Sequence, residues 1–301
     1  MQTGHTPVLL EETLKGLSIK PDGRYIDATF GRGGHARALL ARLSSMGQLL
    51  AFDRDPSAIE AGQALAAADR RFALRHANFA DLDLVVPVQG WDGILFDFGV
   101  SSPQLDEPER GFSFLRDGPL DMRMDPAHGL SAAQWLAEVS ESVLSQALFE
   151  FGEEKHARRL ARALKSRTLQ TPFSRTTELA EFIASVVPKT GPTHPATRAF
   201  QAIRIAVNDE LGAIDRALIA AEKCLRVGGR LAAISFHSLE DRRVKQFIHS
   251  RSRPPVVSRR LPPPASHLTL IDHGKCLPSA AEIAANPRAR SAVLRIAEKR
   301  A

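Results

Sequence analysis

Residues 24–35 read RYIDATFGRGGH and residues 48–55 read QLLAFDRD. The first stretch has the form of a short apolar strand, a turn holding Gly31, Gly33 and Gly34, and a helix running from His35 toward Leu43. Glycines at such a turn let a ligand approach the backbone, and the helix start offers N–H groups with no partner inside the helix. The second stretch is a strand ending in Asp53-Arg54-Asp55, after which Pro56 opens another helix. Asp53, about twenty residues past the glycines, stands where an acid accepts hydrogen bonds from ribose hydroxyls. The loop alone is a weak signal. It lacks the G-x-G-x-x-G spacing, with Thr29 where a first glycine would fall, and a strand–helix turn without a ligand reads the same way. No Lys-Ser or Lys-Thr follows the glycines, which argues against a P-loop. Cofactors of the NAD and S-adenosylmethionine types remain.

Working outward, strands are expected at Tyr25–Phe30, Gln48–Phe52, Phe72–His76 and Gly93–Phe98, with helices at 35–43 and 57–66 between the first three. That alternation predicts βαβ units and a parallel sheet. It stops near Gln104, and Asp106–Met124 reads as an irregular loop rich in Gly, Pro and Asp. Helical periodicity follows: a helix capped by Ser131 and broken near Ser140, then Glu153–Lys165, Thr176–Val186, and a long stretch from Thr197, broken near Asn208, to about Val227. The sheet resumes at Arg230–Phe236 and closes with Ala292–Ala297. Between them Arg251–Pro264, RSRPPVVSRRLPPP, is too proline-rich for regular structure and is expected to be a mobile loop.

The 301 residues suffice for one large domain or two small ones. No run of about twenty apolar residues and no signal-peptide pattern is present, so a soluble cytoplasmic protein without a membrane partner is expected. Cys224 and Cys276 are too few for a disulfide framework, and no His/Cys spacing suggests a metal. The net charge of +6 is uneven. Residues 241–301 hold 13 Lys/Arg against 4 Asp/Glu, leaving 27 against 30 in the first 240. The basic segment reads either as a phosphate-contacting surface or as a solvated tail.

Strand four runs out as ILFDFGVSSPQLD, Ile94–Asp106. Ligands of open α/β sheets sit at the carboxyl ends of the strands, so Asp97 followed by Gly99, Ser101 and Ser102 has the placement of a catalytic loop. A helix-capping or turn acid is the plainer alternative.

Taken with these, AFDRD, GFSFLRDGPLDMRMD, HPATRAFQAIRIAVNDEL and GGRLAAISFHSLEDRRVK resemble the RsmH/MraW family, bacterial 16S rRNA cytosine N4-methyltransferases that use S-adenosylmethionine. HTPVLLEE at His5–Glu12 and NPRARSAVLRIAEK at Asn286–Lys299 extend the resemblance over nearly the whole chain; Phe98, where the family more often has Leu, is a departure expected to alter packing only. The resemblance implies an α/β class I (Rossmann-like) methyltransferase domain from residues 1–106 and 203–301, with a helical substrate-recognition domain, 107–202, inserted in it. It implies that Gly33, Gly34 and His35 form the cofactor loop, that Asp53 holds the ribose, that Phe79 lies beside the adenine, and that Asp97 and Gln104 also touch the cofactor. It implies a cytidine of the decoding (P-site) region of 16S rRNA, within the small ribosomal subunit, as substrate, and it allows a homodimer.

The chemistry of that substrate orders the candidates. The N4 amine of cytosine is a poor nucleophile because its lone pair is delocalised into the ring. Acceptors around its N–H groups favour a pyramidal nitrogen aimed at the methyl group. Asp97, the 98–102 backbone carbonyls and Ser101 or Ser102 are candidates, and the sequence does not rank them. Methylation at C5 would need a cysteine nucleophile, and neither cysteine follows strand four. His237 and Ser238, after strand five, either face the base or serve as a helix cap, with Ser238 and Asp241 as the capping pair. His5 is ambiguous; His194-Pro195 and Arg198 are candidates for shaping the substrate cleft, while Arg204 reads instead as a structural ion-pair partner. For RNA phosphates the candidates are Arg242, Arg243, Lys245 and Arg198. Lys155, Arg158, Arg159, Arg162 and Lys165 form a helical basic stripe that is either a phosphate surface or a wet face. The competing classes are an RNA-binding assembly factor without catalysis, which methyl transfer would exclude, and an NAD-dependent dehydrogenase, which nicotinamide binding would reveal.

Overall fold

The computed structural model describes residues 7–189, 191–254 and 268–301. Its strands are β1 (Arg24–Asp27), β2 (Gln48–Asp53), β3 (Phe72–His76), β4 (Trp91–Asp97), β5 (Leu225–Ser235), β6 (Leu270–Cys276) and β7 (Val293–Lys299). Its helices are α1 (Leu10–Leu17), α2 (Gly34–Leu40), α3 (Pro56–Ala68), α4 (Leu82–Val85), α5 (Ser102–Asp106), α6 (Ala132–Glu138), α7 (Glu141–Glu150), α8 (Ala157–Gln170), α9 (Thr176–Val186), α10 (Ala196–Asn208), α11 (Glu210–Cys224), α12 (Ser238–Ser252) and α13 (Ala280–Ala285). Among the described residues no helix is long and apolar enough to cross a membrane. The chain divides into two compact units, one of residues 1–99 with 211–301 and one of residues 100–210.

The first unit is built on a seven-stranded sheet in the order β3-β2-β1-β4-β5-β7-β6. The strands from β3 to β5 pair in parallel, while β7 pairs antiparallel with both β5 and β6. Central β4, WDGILFD, is buried at every position but its last, as a strand covered on both faces must be. Leu17, Leu39, Leu49, Leu95, Ile234 and Leu294 belong to one core against this sheet. Edge strand β6, LIDHGKC, exposes most of its residues, which is why no apolar pattern announces it. Helix α3 starts where the sequence signals: Asp55 Oδ1 accepts from the Ser57 N–H at 2.9 Å, and Pro56 occupies the first helical position.

The second unit is helical around Leu136, Leu144, Leu160, Leu164, Ile183 and Ile203. Ser131 and Ser140 each accept from a backbone N–H of the helix they open, so the expected break near Ser140 is a cap between α6 and α7. The break near Asn208 is Asp209 in the left-handed region, φ 48°. The sequence puts the division between domains at 106/107 and 202/203, whereas the compact units divide at 99/100 and 210/211. The reason lies in Asn208, whose side chain accepts from the Met124 N–H at 2.8 Å and donates to the Met122 carbonyl at 2.7 Å. These bonds fasten the irregular 106–124 loop to the end of α10. Of the expected mobile loop, Arg251 and Ser252 are the last residues of α12, and 255–264 lie outside the described residues, as does His5.

Candidate active site

Parallel strands leave their carboxyl ends on one edge of the sheet, and three of them, β1, β2 and β4, finish there on an acid. Asp27, last in β1, is buried; its Oδ1 accepts from the Thr29 N–H at 3.2 Å, and its buried Oδ2 has no hydrogen-bond partner. Asp97, last in β4, has its N–H on Thr29 Oγ1 at 2.7 Å and an equally unpartnered Oδ1. Burial is the main cause that pushes both carboxyls up, Asp27 to about 7 and Asp97 to about 8. The Asp53 charge adds to the effect at Asp27, and the charges of Asp27 and Glu240 add to it at Asp97.

The loop after β1 is held by strand two. Asp53 accepts from the Gly31 N–H and the Asp55 N–H, both at 2.8 Å, and burial raises its pKa. A carboxylate has more acceptor sites than these two bonds use. Gly33 precedes α2 with φ 72°, and a Cβ on Gly34 would come within 2.3 Å of the Pro7 ring. His35 is buried: its Nε2 lies 3.2 Å from the Val8 carbonyl and its Nδ1 3.7 Å from Asp97 Oδ2. Burial drops its pKa to about 4, so the ring is neutral near pH 7. The tautomer that suits both neighbours has Nε2–H donating to Val8 and the Nδ1 lone pair toward Asp97. His35 thus links the N-terminal segment at Val8 to Asp97.

Phe79, half-buried after β3, sets its ring edge-on to Phe96 at 5.9 Å and to Phe98 at 5.7 Å, while Phe96 and Phe98 stack at 5.2 Å. Phe98 therefore completes an aromatic wall, a packing role. After β5, the N-terminus of α12 is organised by fully buried Glu240, whose Oε2 accepts from the Phe236 N–H at 2.8 Å and the His237 N–H at 3.3 Å. His237 Nε2 lies 3.2 Å from Glu240 Oε1. The capping pair is thus His237 and Glu240, one residue earlier than Ser238 and Asp241, because it is Glu240 that turns inward. Asp241 instead pairs with Arg295 through two bonds, at 2.6 and 2.9 Å.

In the second unit, Gln104 is buried and accepts from the Ser101 N–H at 2.9 Å, capping short helix α5; Ser102 is its first residue. Arg204 is an ion-pair residue, bidentate to Glu210 at 2.7 and 2.8 Å. The ring of His194 packs on Phe114 at 4.8 Å. Arg198 reaches the Glu153 carbonyl at 3.5 Å. In the first unit Arg242 and Lys245 are exposed, and Arg243 pairs with Asp215 at 2.5 Å. Much of the C-terminal positive charge is likewise engaged, Arg251 with Glu222 and Lys299 with the Glu222 carbonyl.

The first unit thus gathers Gly33, Gly34, His35, Asp53, Phe79, Asp97 and His237 around one sheet edge. Asp27 and Glu240 are additions that sequence reasoning did not single out. The signal for Asp27 is an acid directly after the apolar Tyr25-Ile26 pair and shortly before the glycine loop.

Seven strands in this order, with only β7 reversed, a glycine turn after β1 and an acid ending β2, define a class I methyltransferase. The chain belongs to the MraW methylase family, whose model matches residues 2–300. A protein of Pseudoalteromonas atlantica (strain T6c / ATCC BAA-1087) named ribosomal RNA small subunit methyltransferase H is 53% identical to it over 308 residues, covering 99% of each chain. Similar solved structures include an rRNA methylase from Streptococcus thermophilus, 14% identical, covering 100% of each chain with a TM-score of 0.42. Another is TrmN from Thermus thermophilus, 13% identical, covering 97% of this chain and 48% of that one with a TM-score of 0.43. Methylases of this family draw the methyl group from S-adenosylmethionine. The residues present suit that donor, since unpartnered buried carboxyl oxygens at Asp27 and Asp97 call for a cationic ligand.

Proposed function

We propose that the protein methylates the exocyclic N4 amine of a cytidine in the decoding (P-site) region of 16S rRNA, within the small ribosomal subunit and in the cytoplasm. The observation that carries the chemistry is the pair of buried, unpartnered carboxyl oxygens beside the glycine loop. Bound there, S-adenosylmethionine supplies an electrophilic methyl on a good leaving group. Asp53 holds ribose hydroxyls, the Gly33–His35 turn admits the donor, and Phe79 offers its ring to the adenine. Gln104 is the further donor contact.

Asp97 is the acceptor for an N4–H, with Ser101, Ser102 and His237 as the further polar groups that orient the base. Holding that N–H bond out of the ring plane frees the nitrogen lone pair for in-line attack on the methyl carbon. Once methylated, the amine is cationic and acidic, so its proton leaves to water without a strong base. Ring methylation at C5 is disfavoured by the cysteines. Cys224 is buried with its thiol pushed up to about 11 by burial, far from thiolate, and Cys276 ends edge strand β6.

The helical unit is the substrate-recognition domain in this reading, and Arg198, Arg242, Arg243 and Lys245 contact phosphates. The relative named as a small-subunit rRNA methyltransferase supports the substrate class. The test is methyl transfer from radiolabelled S-adenosylmethionine to small subunits lacking the modification, followed by nucleoside analysis. Label in N4-methylcytidine is the expected result; label in another nucleoside overturns the target atom.

A further inference from the structure

Helix α8 turns Ala157, Leu160, Ala161, Leu164 and Thr168 into the helical core, and its outer face carries Arg158, Arg159 and Arg162. These three line a shallow, open hollow with Ala163 and Ser166. Of the expected five-residue stripe, Lys165 does not belong to it. Its ammonium donates to the Leu136 and Ala137 carbonyls at 2.9 Å each and so closes the end of α6.

Structural considerations oppose this arrangement. Arg158 and Arg159 lie in the first turn of α8, which contains no acid, where the helix dipole disfavours positive charge. Like charges three and four residues apart, as Arg159 and Arg158 are from Arg162, destabilise a helix by about 0.2–0.5 kcal/mol a pair. Arg158 and Arg159 make no ion pair among the described residues, and the nearest acid to Arg162 is Glu141 at 3.7 Å with both side chains well exposed. A wet amphipathic face is more simply built by interspersing acids among the bases. All three residues are arginines, whose planar fork suits phosphate oxygens better than an ammonium does.

We infer that the α8 hollow at Arg158, Arg159, Arg162 and Ser166 is a docking site for the phosphodiester backbone of the RNA substrate. Charge complementarity selects the occupant: clustered guanidiniums in an open hollow, two of them without an ion pair among the described residues and Arg162 in an exposed pair with Glu141, fit successive phosphates. The site reads no base, so it adds affinity and register. It rests on the substrate class proposed above.

The test compares the full-length parent, an R158Q/R159Q/R162Q variant and a K15Q/R42Q/R70Q control of equal charge change. Each is titrated with 16S rRNA and with small subunits across a range of salt, alongside S-adenosylmethionine binding and thermal unfolding. The α8 variant is expected to keep donor affinity and to unfold no earlier than the parent, while the slope of log affinity against log salt flattens by about 2. The control should keep the parent slope. An α8 variant with the parent's slope and affinity overturns the site, and so does a control that weakens binding as much. A parent that binds neither RNA nor subunit overturns the substrate reading itself, and this site with it. Methylation of subunits by the parent separates the cases, since a parent that methylates while its α8 variant binds normally refutes only the docking site.

Discussion

Asp97 and Asp27 make the active edge sensitive to pH in a calculable direction. Both native pKa values stand above an ordinary carboxyl, near 8 and 7, so the folded protein holds protons that the unfolded chain has released. Their contribution is full below about pH 4 and is lost as pH rises through the native values. His35, with its native value near 4, acts oppositely, losing stability as pH falls from the ordinary histidine value of about 6.5. The effects compete in acid, and above about pH 6.5 only the carboxyls remain. Without donor, the melting temperature should therefore fall between about pH 6.5 and 8, and Asp97→Asn should flatten that fall; an equal slope in the variant refutes the assignment. A cationic donor favours the ionised carboxyls, so its affinity should rise over the same window with release of protons. Calorimetry in buffers of different ionisation enthalpy reads that release directly. Asp97→Ala should abolish turnover, and near-parent turnover at saturating donor would remove Asp97 from the chemistry. Asp53→Ala should raise the donor Kd by about tenfold or more, since it removes the proposed ribose acceptor and frees the Gly31 and Asp55 N–H groups that shape the loop. The Asp53 position was legible because an acid after a second strand has a known offset from a glycine turn. Glu240 was not, and Asp27 carried only the faint signal of an acid before the glycine loop, since only the folded sheet reveals that the two are buried at one edge.

Helices and strands were legible where local chemistry decides them. Ser140, a residue that competes for backbone N–H groups, ends one helix and caps the next, and Asp209 takes the left-handed turn between α10 and α11. The extent of α8 was less clear. The basic run suggests a start at Glu153, yet the helix begins at Ala157 because Glu154 is buried and its carboxylate accepts from the His156 N–H at 2.8 Å. Strand β6 escaped notice because an edge strand is fixed by its pairing with β7 and not by its own apolar pattern. Lys165 shows what spacing alone leaves out: it shares the stripe's period, and its ammonium also donates to two carbonyls of α6. Lys165→Met should therefore destabilise the protein by about 1–2 kcal/mol in urea unfolding, from the loss of charge-assisted bonds. RNA affinity at fixed salt should stay near the parent's, provided the variant is assayed folded. A variant of parent stability that bound RNA weakly would return Lys165 to the phosphate surface.

The charge distribution of the whole chain looks at first like an acidic body with a basic tail. The fold reorganises that picture. Arg243, Arg251 and Arg295 pair with Asp215, Glu222 and Asp241, and β7 inserts between β5 and β6. Leu294 and Ala297 of β7 are fully buried, and Leu294 and Ile296 pack in the same core as Leu17 and Leu49. The last strands are thus structural members of the methyltransferase sheet; Arg295 ties β7 to Asp241 of α12, while Arg243 and Arg251 tie α12 to α11. A solvated tail and a sheet edge predict different consequences of truncation. A chain ending at Arg253 would lack β6 and β7, leaving β5 with an unpaired edge and an uncovered apolar face. It should lose the near-UV circular dichroism of its aromatic core, unfold without cooperativity and fail to bind S-adenosylmethionine, although every proposed donor contact precedes the cut. A truncated protein that kept donor affinity and a sharp unfolding transition, and lost only RNA binding, would show the C-terminal segment to be an appended basic arm. The buried row on β7 argues for the first outcome, because removing it exposes the same core that carries β1 and β4 to the active edge.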